Sequence, residues 1–284
     1  YMRGRMYDRP SYVPPFAIGE ALQGGAIGQV VASAAEGFAP GDLVSHMFGW
    51  REAVTAYAGA FEKIDAQGAP PQAFLGVLGM PGLTAYAGLL EIGQPKEGDT
   101  IFVSGAAGAV GSLVCQIAKI KGARVVGSVG SDEKAAWLKS RGVDHVVNYK
   151  KGDLLEAVRA GAPSGIDVYF DNVGGDHLEV ALELARPMAR FVECGMIGQY
   201  NDEGPRPGPK NLIYVVGKQL KIEGFIVTRF AGLRPRFLAD MTGWIKDGRL
   251  AWEETVMHGV ESAPRAFLGL FTGANTGKML VKLA

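Results

Sequence analysis

Residues 99–111, DTIFVSGAAGAVG, constrain this chain more than any other stretch, because a short apolar run leads directly into a glycine-rich turn and a helix. Ile101, Phe102 and Val103 favour β structure, and Gly105, Gly108 and Gly111 follow with no proline among them. Val110, Leu113, Val114, Ile117 and Ala118 then recur at helical spacing, and Gly122 stands where a glycine closes a helix. A strand, a tight turn and a helix in that order aim free backbone N–H groups and the positive end of the helix dipole at one point, which suits a pyrophosphate. Ala106 replaces the first glycine of the strict G-x-G-x-x-G fingerprint, so a turn that only lets helix and strand pack closely is the competing explanation. The continuation favours nucleotide binding: RVVGSV (124–129) reads as a second strand and SDEKAAWLKSRG (131–142) as a capped helix, completing a βαβ unit.

Six candidate strands, 101–104, 124–129, 145–148, 166–171, 190–194 and 220–227, alternate with helices and describe a doubly wound parallel sheet of the Rossmann type. Residues 1–78 differ in character, being rich in glycine and proline with short β-like runs at 28–32, 42–47 and 62–64 and a turn at Pro40-Gly41-Asp42. The pattern turns helical from Pro71 to Ile92. After Val227 come an amphipathic helix over 233–247, with Phe237, Leu238, Met241, Trp244 and Ile245 on one face, and short strands around 250–257 and 278–283 that flank a helix near 262–272. The expected organisation is a nucleotide domain over 79–230 inserted between two parts, 1–78 and 231–284, of a β-rich substrate domain, with the tail folding back onto the opening region.

Bulk properties narrow the function. The 29 basic and 29 acidic residues cancel, which argues against a nucleic-acid footprint. No run of apolar residues is long enough to span a membrane, and YMRGRMYDRP lacks the apolar core of a secretory signal, so a cytoplasmic location is the default expectation. Cys115 and Cys194 cannot build a disulfide framework, and His46, His145, His177 and His258 are scattered without ligand spacing, so no metal site is expected.

The ordered segments YMRGRM (1–6), GMPGLTAY (79–86), SGAAGAVGS (104–112), VGSDEK (129–134), NYK (148–150), YFDNVGG (169–175), CGMIGQY (194–200) and NTGKMLVKL (275–283) resemble the zinc-independent medium-chain dehydrogenase/reductases. Within that family they look most like the branch of prostaglandin reductase, leukotriene B4 12-hydroxydehydrogenase and alkenal double-bond reductases. The resemblance runs through the whole chain and implies a Rossmann sheet inserted in a GroES-like domain, a homodimer, and further N-terminal strands ahead of the YMRGRM-like motif; this sequence begins at that motif, so either it is truncated or the substrate domain is smaller than usual. A subunit edge is expected near 212–217 and 220–227. The chemistry implied is NADPH-dependent reduction of a carbon–carbon double bond conjugated to a carbonyl, with a small-molecule enone as partner.

Particular residues can be set against that chemistry. An NAD-type site needs a carboxylate at the end of the second strand to bind the ribose 2′-OH. Gly130 and Ser131 stand there instead, leaving room for a 2′-phosphate, and Lys134 offers a counter-charge if it is not simply a solvated lysine. By the resemblance Tyr149 joins the same phosphate, while Gly108, Ala109, Val110 and Gly111 hold the pyrophosphate. The loops after the last three strands, with Asn172, Cys194, Gly195, Ile197, Phe225, Ile226 and Val227, match motifs that line the nicotinamide, as does Asn275. For Asn172 an Asx turn competes with a cofactor contact. Hydride delivery to an enone places charge on its carbonyl oxygen, and Tyr200 is the candidate catalytic donor, since a phenol keeps its proton at neutral pH. A rim or packing tyrosine is the plain alternative. Tyr1 resembles a substrate-pocket tyrosine of the family, and Trp50 is a candidate apolar wall of the pocket. Two alternatives stay open: an NADPH quinone oxidoreductase, and a non-catalytic NADPH-binding protein.

Overall fold

The computed structural model describes residues 2–8, 11–66, 68–201, 204 and 208–283. Three short strands, β1 (Ala26–Gln29), β2 (Leu43–His46) and β3 (Glu62–Lys63), form an antiparallel sheet in the opening region. Then follow α1 (Met80–Ala87), β4 (Thr100–Val103), α2 (Gly111–Ile120), β5 (Arg124–Val129), α3 (Asp132–Ser140), β6 (His145–Asn148), α4 (Leu154–Gly161), β7 (Ile166–Asp171), α5 (Asp176–Leu184), β8 (Ala185–Glu193), α6 (Tyr214–Gly217) and β9 (Lys221–Gly224). The chain closes with α7 (Arg234–Lys246), β10 (Glu254–His258), α8 (Ala263–Thr272) and β11 (Lys278–Lys282).

The large sheet has the order β6-β5-β4-β7-β8-β9, all parallel. Its strands are apolar on both sides because helices cover both faces. With the two-residue period of a strand, Ile101, Val103, Val125, Val168, Phe170 and Val192 enter one core. Phe102, Val126, Tyr169 and Phe191 enter the other. Helices α1, α2, α3 and α7 supply the first core, and α4 and α5 the second. On the second face Phe102 stacks on Tyr169 at 5.2 Å, and Tyr169 meets Phe191 edge-on at 5.4 Å, an aromatic ladder across three strands. The strand order reverses between β4 and β7, and that switch point opens a crevice at the carboxyl ends of the strands.

The fold departs from the pattern reading in four places. The helical stretch expected over 71–92, with a proline where a helix starts, comes in three pieces: a 3-10 turn (Pro71–Leu75), then α1 with Pro81 in its first turn, then a wide helical turn over Gly88–Gly93. A methyl on Gly88 would lie 2.7 Å from the Phe225 ring and 2.9 Å from the Phe170 ring, so the chain widens where aromatic side chains press on it. The last strand ends at Gly224 instead of Val227, because Phe225 turns inward to that same contact. Strand β8 begins five residues earlier than expected, at Ala185, and passes through a left-handed Met188 with φ of 66°. The tail strands β10 and β11 pair with each other in parallel and, among the described residues, join no other sheet. They dock by a bridge between Gly277 and Gly108, while Trp50 meets Phe267 of α8 edge-on at 6.4 Å, tying the opening region to the tail.

Candidate nucleotide cleft and active site

The glycine turn after β4 is shaped by backbone proximity. A Cβ on Gly111 would stand 2.5 Å from the Gly105 carbonyl oxygen, and Gly105 itself takes a φ of +59°, so both positions require glycine. Helix α2 starts with no side-chain cap. Among the described residues no backbone acceptor pairs with the N–H groups of Val110 and Gly111, while Ala109 N–H is taken up by the bridge to Gly277. Unpaired donors at the positive end of a ten-residue helix fit a pyrophosphate. Asn275 is brought beside this turn: Gly277 N donates to the Ala107 carbonyl at 2.8 Å, and Asn275 Nδ2 donates to Gly277 O at 2.7 Å.

At one end of the cleft lie the residues expected around a 2′-phosphate. Ser131 caps α3 by accepting the Lys134 N–H at 3.3 Å, which places Lys134 in the first turn. The ammonium of Lys134 donates to the Gly273 carbonyl at 2.6 Å and keeps two further N–H donors. Partial burial, with the nearby Lys150 charge, lowers its pKa, the mark of a cation held where an anion would be welcome. Tyr149 reaches the same corner, its hydroxyl 2.9 Å from where a methyl on Gly130 would stand, with Lys150 Cε at 3.4 Å from that point. Of the two acidic residues that open α3, Asp132 is bound by Lys151 at 2.5 Å and Asn148 at 2.8 Å, and these bonds lower its pKa, while Glu133 bonds Ser131. Asp132 is thereby tied to the β6 side of α3.

The other end is built from the loops after β7 and β8. Asp171 is fully buried, and its Oδ1 accepts Ser104 Oγ at 2.7 Å and the N–H groups of Val173 and Gly174 at 2.8 Å each. The Asx turn expected at Asn172 therefore belongs to Asp171. Asn172 Nδ2 instead donates to the Ser104 carbonyl at 2.8 Å, and Asn172 O accepts Ile197 N at 3.2 Å. Cys194 N and Gly195 N both donate to Asp171 O at 3.0 Å, so one residue fixes two loops. Burial pushes the Cys194 thiol up to about 12, making it a packing residue and not a nucleophile.

Tyr200 closes this end. Its hydroxyl accepts the Met196 N–H at 3.2 Å and stands 3.1 Å from a notional methyl on Gly195. Accepting that bond leaves the phenolic proton to point elsewhere. Phe225 and Val227 pack against the sheet's first core, whereas Ile226 is exposed. Tyr1 lies outside the described residues. Among the described residues no three His, Cys, Asp or Glu side chains converge to hold a metal ion.

The sequence reading missed Asp171, Glu193 and Ser104 as a group. In the parallel register Asp171 faces Glu193 directly, and Ser104 follows Val103, which pairs with Phe170 and Gly127. Ser128, Ser104, Asp171 and Glu193 thus form a polar row across the sheet, one step beyond the aromatic ladder on the same face. The signal available was polar residues ending three successive apolar strands.

A six-stranded doubly wound sheet with a glycine-turn cradle at its switch point defines a dinucleotide-dependent oxidoreductase fold. The family model described as zinc-binding dehydrogenase matches residues 109–243, and the N-terminal domain of oxidoreductase matches 1–64. The NADP(+)-dependent 2-alkenal reductase of Nicotiana tabacum is 44% identical over all of this chain and 84% of its own length. The NADPH-dependent curcumin reductase of Escherichia coli is 40% identical over 100% of the chain and 84% of its own length. The crystal structure of CurA from Vibrio vulnificus in complex with NADPH superposes with a TM-score of 0.94 at 41% identity, covering 100% of this chain and 86% of that one. The chain belongs to the zinc-independent branch of the medium-chain dehydrogenase/reductases and is an NADP-dependent oxidoreductase.

Proposed function

We propose that this enzyme uses NADPH to reduce the carbon–carbon double bond of α,β-unsaturated aldehydes and ketones. The observation that carries the reading is the Tyr200 hydroxyl, which accepts Met196 N and so presents its own proton beside the loops at the nicotinamide end. The alkenal and curcumin reductases among the relatives point to the same chemistry. NADPH supplies the hydride, which goes to the β-carbon of the enone. Negative charge then builds on the carbonyl oxygen, Tyr200 donates a hydrogen bond to it, and a proton drawn from solvent completes the C–H bond at the α-carbon. The Val110 and Gly111 N–H groups would hold the pyrophosphate, Lys134 and Tyr149 the 2′-phosphate, and the loops 172–175 and 194–200 the nicotinamide.

The test follows NADPH oxidation with a medium-chain 2-alkenal, an enone ketone and a simple quinone, each repeated with NADH. Turnover of the enones with NADPH and not NADH is expected. Turnover of the quinone alone would establish a quinone oxidoreductase, and tight NADPH binding without turnover would establish a binding protein.

No helix among the described residues is long and apolar enough to cross a membrane. Leu212, Ile213 and Val216 are 53%, 72% and 75% exposed beside the edge strand β9, a patch suited to a second copy. The expected homodimer is tested by sedimentation, in which a monomer at micromolar concentration would refute it.

A further inference from the structure

The polar row across the sheet contains two carboxyl groups with no cation between them. Both Glu193 carboxyl oxygens and Asp171 Oδ2 are sealed from solvent with no hydrogen-bond partner, as is the Tyr169 hydroxyl in the same row. Among the described residues neither forms an ion pair with a lysine or arginine. The two side chains stand on paired positions of neighbouring parallel strands and point to the same face. Two anions in that setting would repel at short range with little screening, whereas one shared proton satisfies both. Asp171 Oδ1 already accepts three hydrogen bonds, so Asp171 is the member held as the anion and Glu193 the member that carries the proton.

We propose that Glu193 is a positioning residue whose proton, donated to Asp171 Oδ2, keeps Asp171 anchored as the acceptor that shapes loop 172–175. Asp171 receives the N–H groups of Val173 and Gly174 and, through its own carbonyl, those of Cys194 and Gly195. A displaced Asp171 therefore disturbs both loops at once. The proposal rests on the reading that these loops line the nicotinamide.

The surroundings leave Glu193 as the group that titrates. Burial and the Asp171 charge push its carboxyl up to about 8. Tyr169, on the same strand as Asp171, is kept neutral by burial and by that charge, and its hydroxyl lies in the same row. Burial lowers the pKa of His177, at the start of α5, against the opposing pull of Asp171 and Asp176, so it stays an uncharged ring. The Cys194 thiol, raised by burial first and then by Asp171 and Glu193, stays protonated. No neighbouring group thus loses or gains charge near neutral pH.

The sign of the effect is fixed by linkage. A carboxyl whose folded value lies above its ordinary value of 4.5 contributes fully below that pH, and its contribution is lost as pH rises towards about 8. The experiment measures urea unfolding and NADPH binding by fluorescence from pH 6 to 9.5 for the wild type, Glu193→Gln and Glu193→Ala. Glutamine keeps a donor at every pH and carries no charge.

Wild-type NADPH affinity is expected to fall about tenfold across the alkaline limb, the equivalent of one charge-assisted hydrogen bond. Glu193→Gln should abolish that limb and gain stability relative to wild type as pH rises. Glu193→Ala should bind NADPH about tenfold more weakly at pH 7, with Glu193→Gln restoring affinity. A Glu193→Gln profile parallel to wild type in either measurement overturns the proposal, as does a glutamine variant as impaired as alanine. An alkaline limb due to Lys134 would persist in Glu193→Gln and vanish in Lys134→Ala. Neither measurement uses an enone, so absent enone turnover would sink the reductase reading alone.

Discussion

At the end of the cleft proposed for the 2′-phosphate the groups are side chains at the surface. Lys134 and Ser131 sit within one helical turn, and Tyr149 follows the neighbouring strand. At the end proposed for the nicotinamide they are backbone amides and a half-buried tyrosine, beside loops anchored by the buried Asp171. The first end can be altered one side chain at a time, because its members are joined by few shared bonds. The second is a network in which several backbone groups depend on one carboxylate, so its members act as a unit. On the proposed function, selectivity for the cofactor and positioning for the reaction rest on structures of different fragility.

The largest effect is expected where the network is broken. Asp171→Ala strips the acceptor from Ser104 Oγ, Val173 N and Gly174 N, and each buried donor left unpaired costs about 1–3 kcal/mol. A loss of at least about 3 kcal/mol in urea unfolding is expected, accompanied by weaker binding of NADPH and NADH alike. A loss below about 1 kcal/mol would show that the two ends of the cleft do not differ in this way. Tyr200→Phe should come next, lowering kcat by about 100-fold while NADPH affinity and unfolding stay near wild type. An unchanged kcat would assign stabilisation of the enolate to another group.

Lys134→Ala acts at the robust end. It should weaken NADPH binding by about 1–3 kcal/mol, leave NADH binding unchanged and hardly move the unfolding midpoint. Equal loss for both cofactors would make Lys134 a structural clamp on the Gly273 carbonyl, the bond it makes at 2.6 Å. The smallest effect belongs to Ser131→Ala, which removes the cap of α3 and should cost about 1 kcal/mol of stability in thermal unfolding. A cost above about 2 kcal/mol would join Ser131 to a wider network and blur the distinction between the two ends.

Local signals carried much of the architecture. The glycine turn, the Ser131 cap, the Gly122 helix stop with its φ of 79° and the strands at 124–129, 145–148 and 166–171 are set by short-range rules: glycine where φ is positive, a hydroxyl one residue before a helix, apolar runs for strands buried on both faces. The position of Lys134 in the first turn of α3 was legible for the same reason, whereas Tyr149 entered only through the family resemblance. The wide turn at Gly88–Gly93 was not, because Phe225 and Phe170, distant in sequence, press on Gly88. Nor was the early end of the last strand, which the same packing terminates.

A parallel α/β sheet, a glycine turn opening a helix and the absence of a carboxylate at the end of the second strand were written in residues near each other in the chain. Long-range packing alone set which loops meet at the switch point, brought Asn275 beside the glycine turn through Gly277, and turned Asp171 and Glu193 towards one another. Those outcomes follow from strand order and register. Register is a property of pairs of strands, and a one-residue slip would have sent either carboxyl to the opposite face of the sheet.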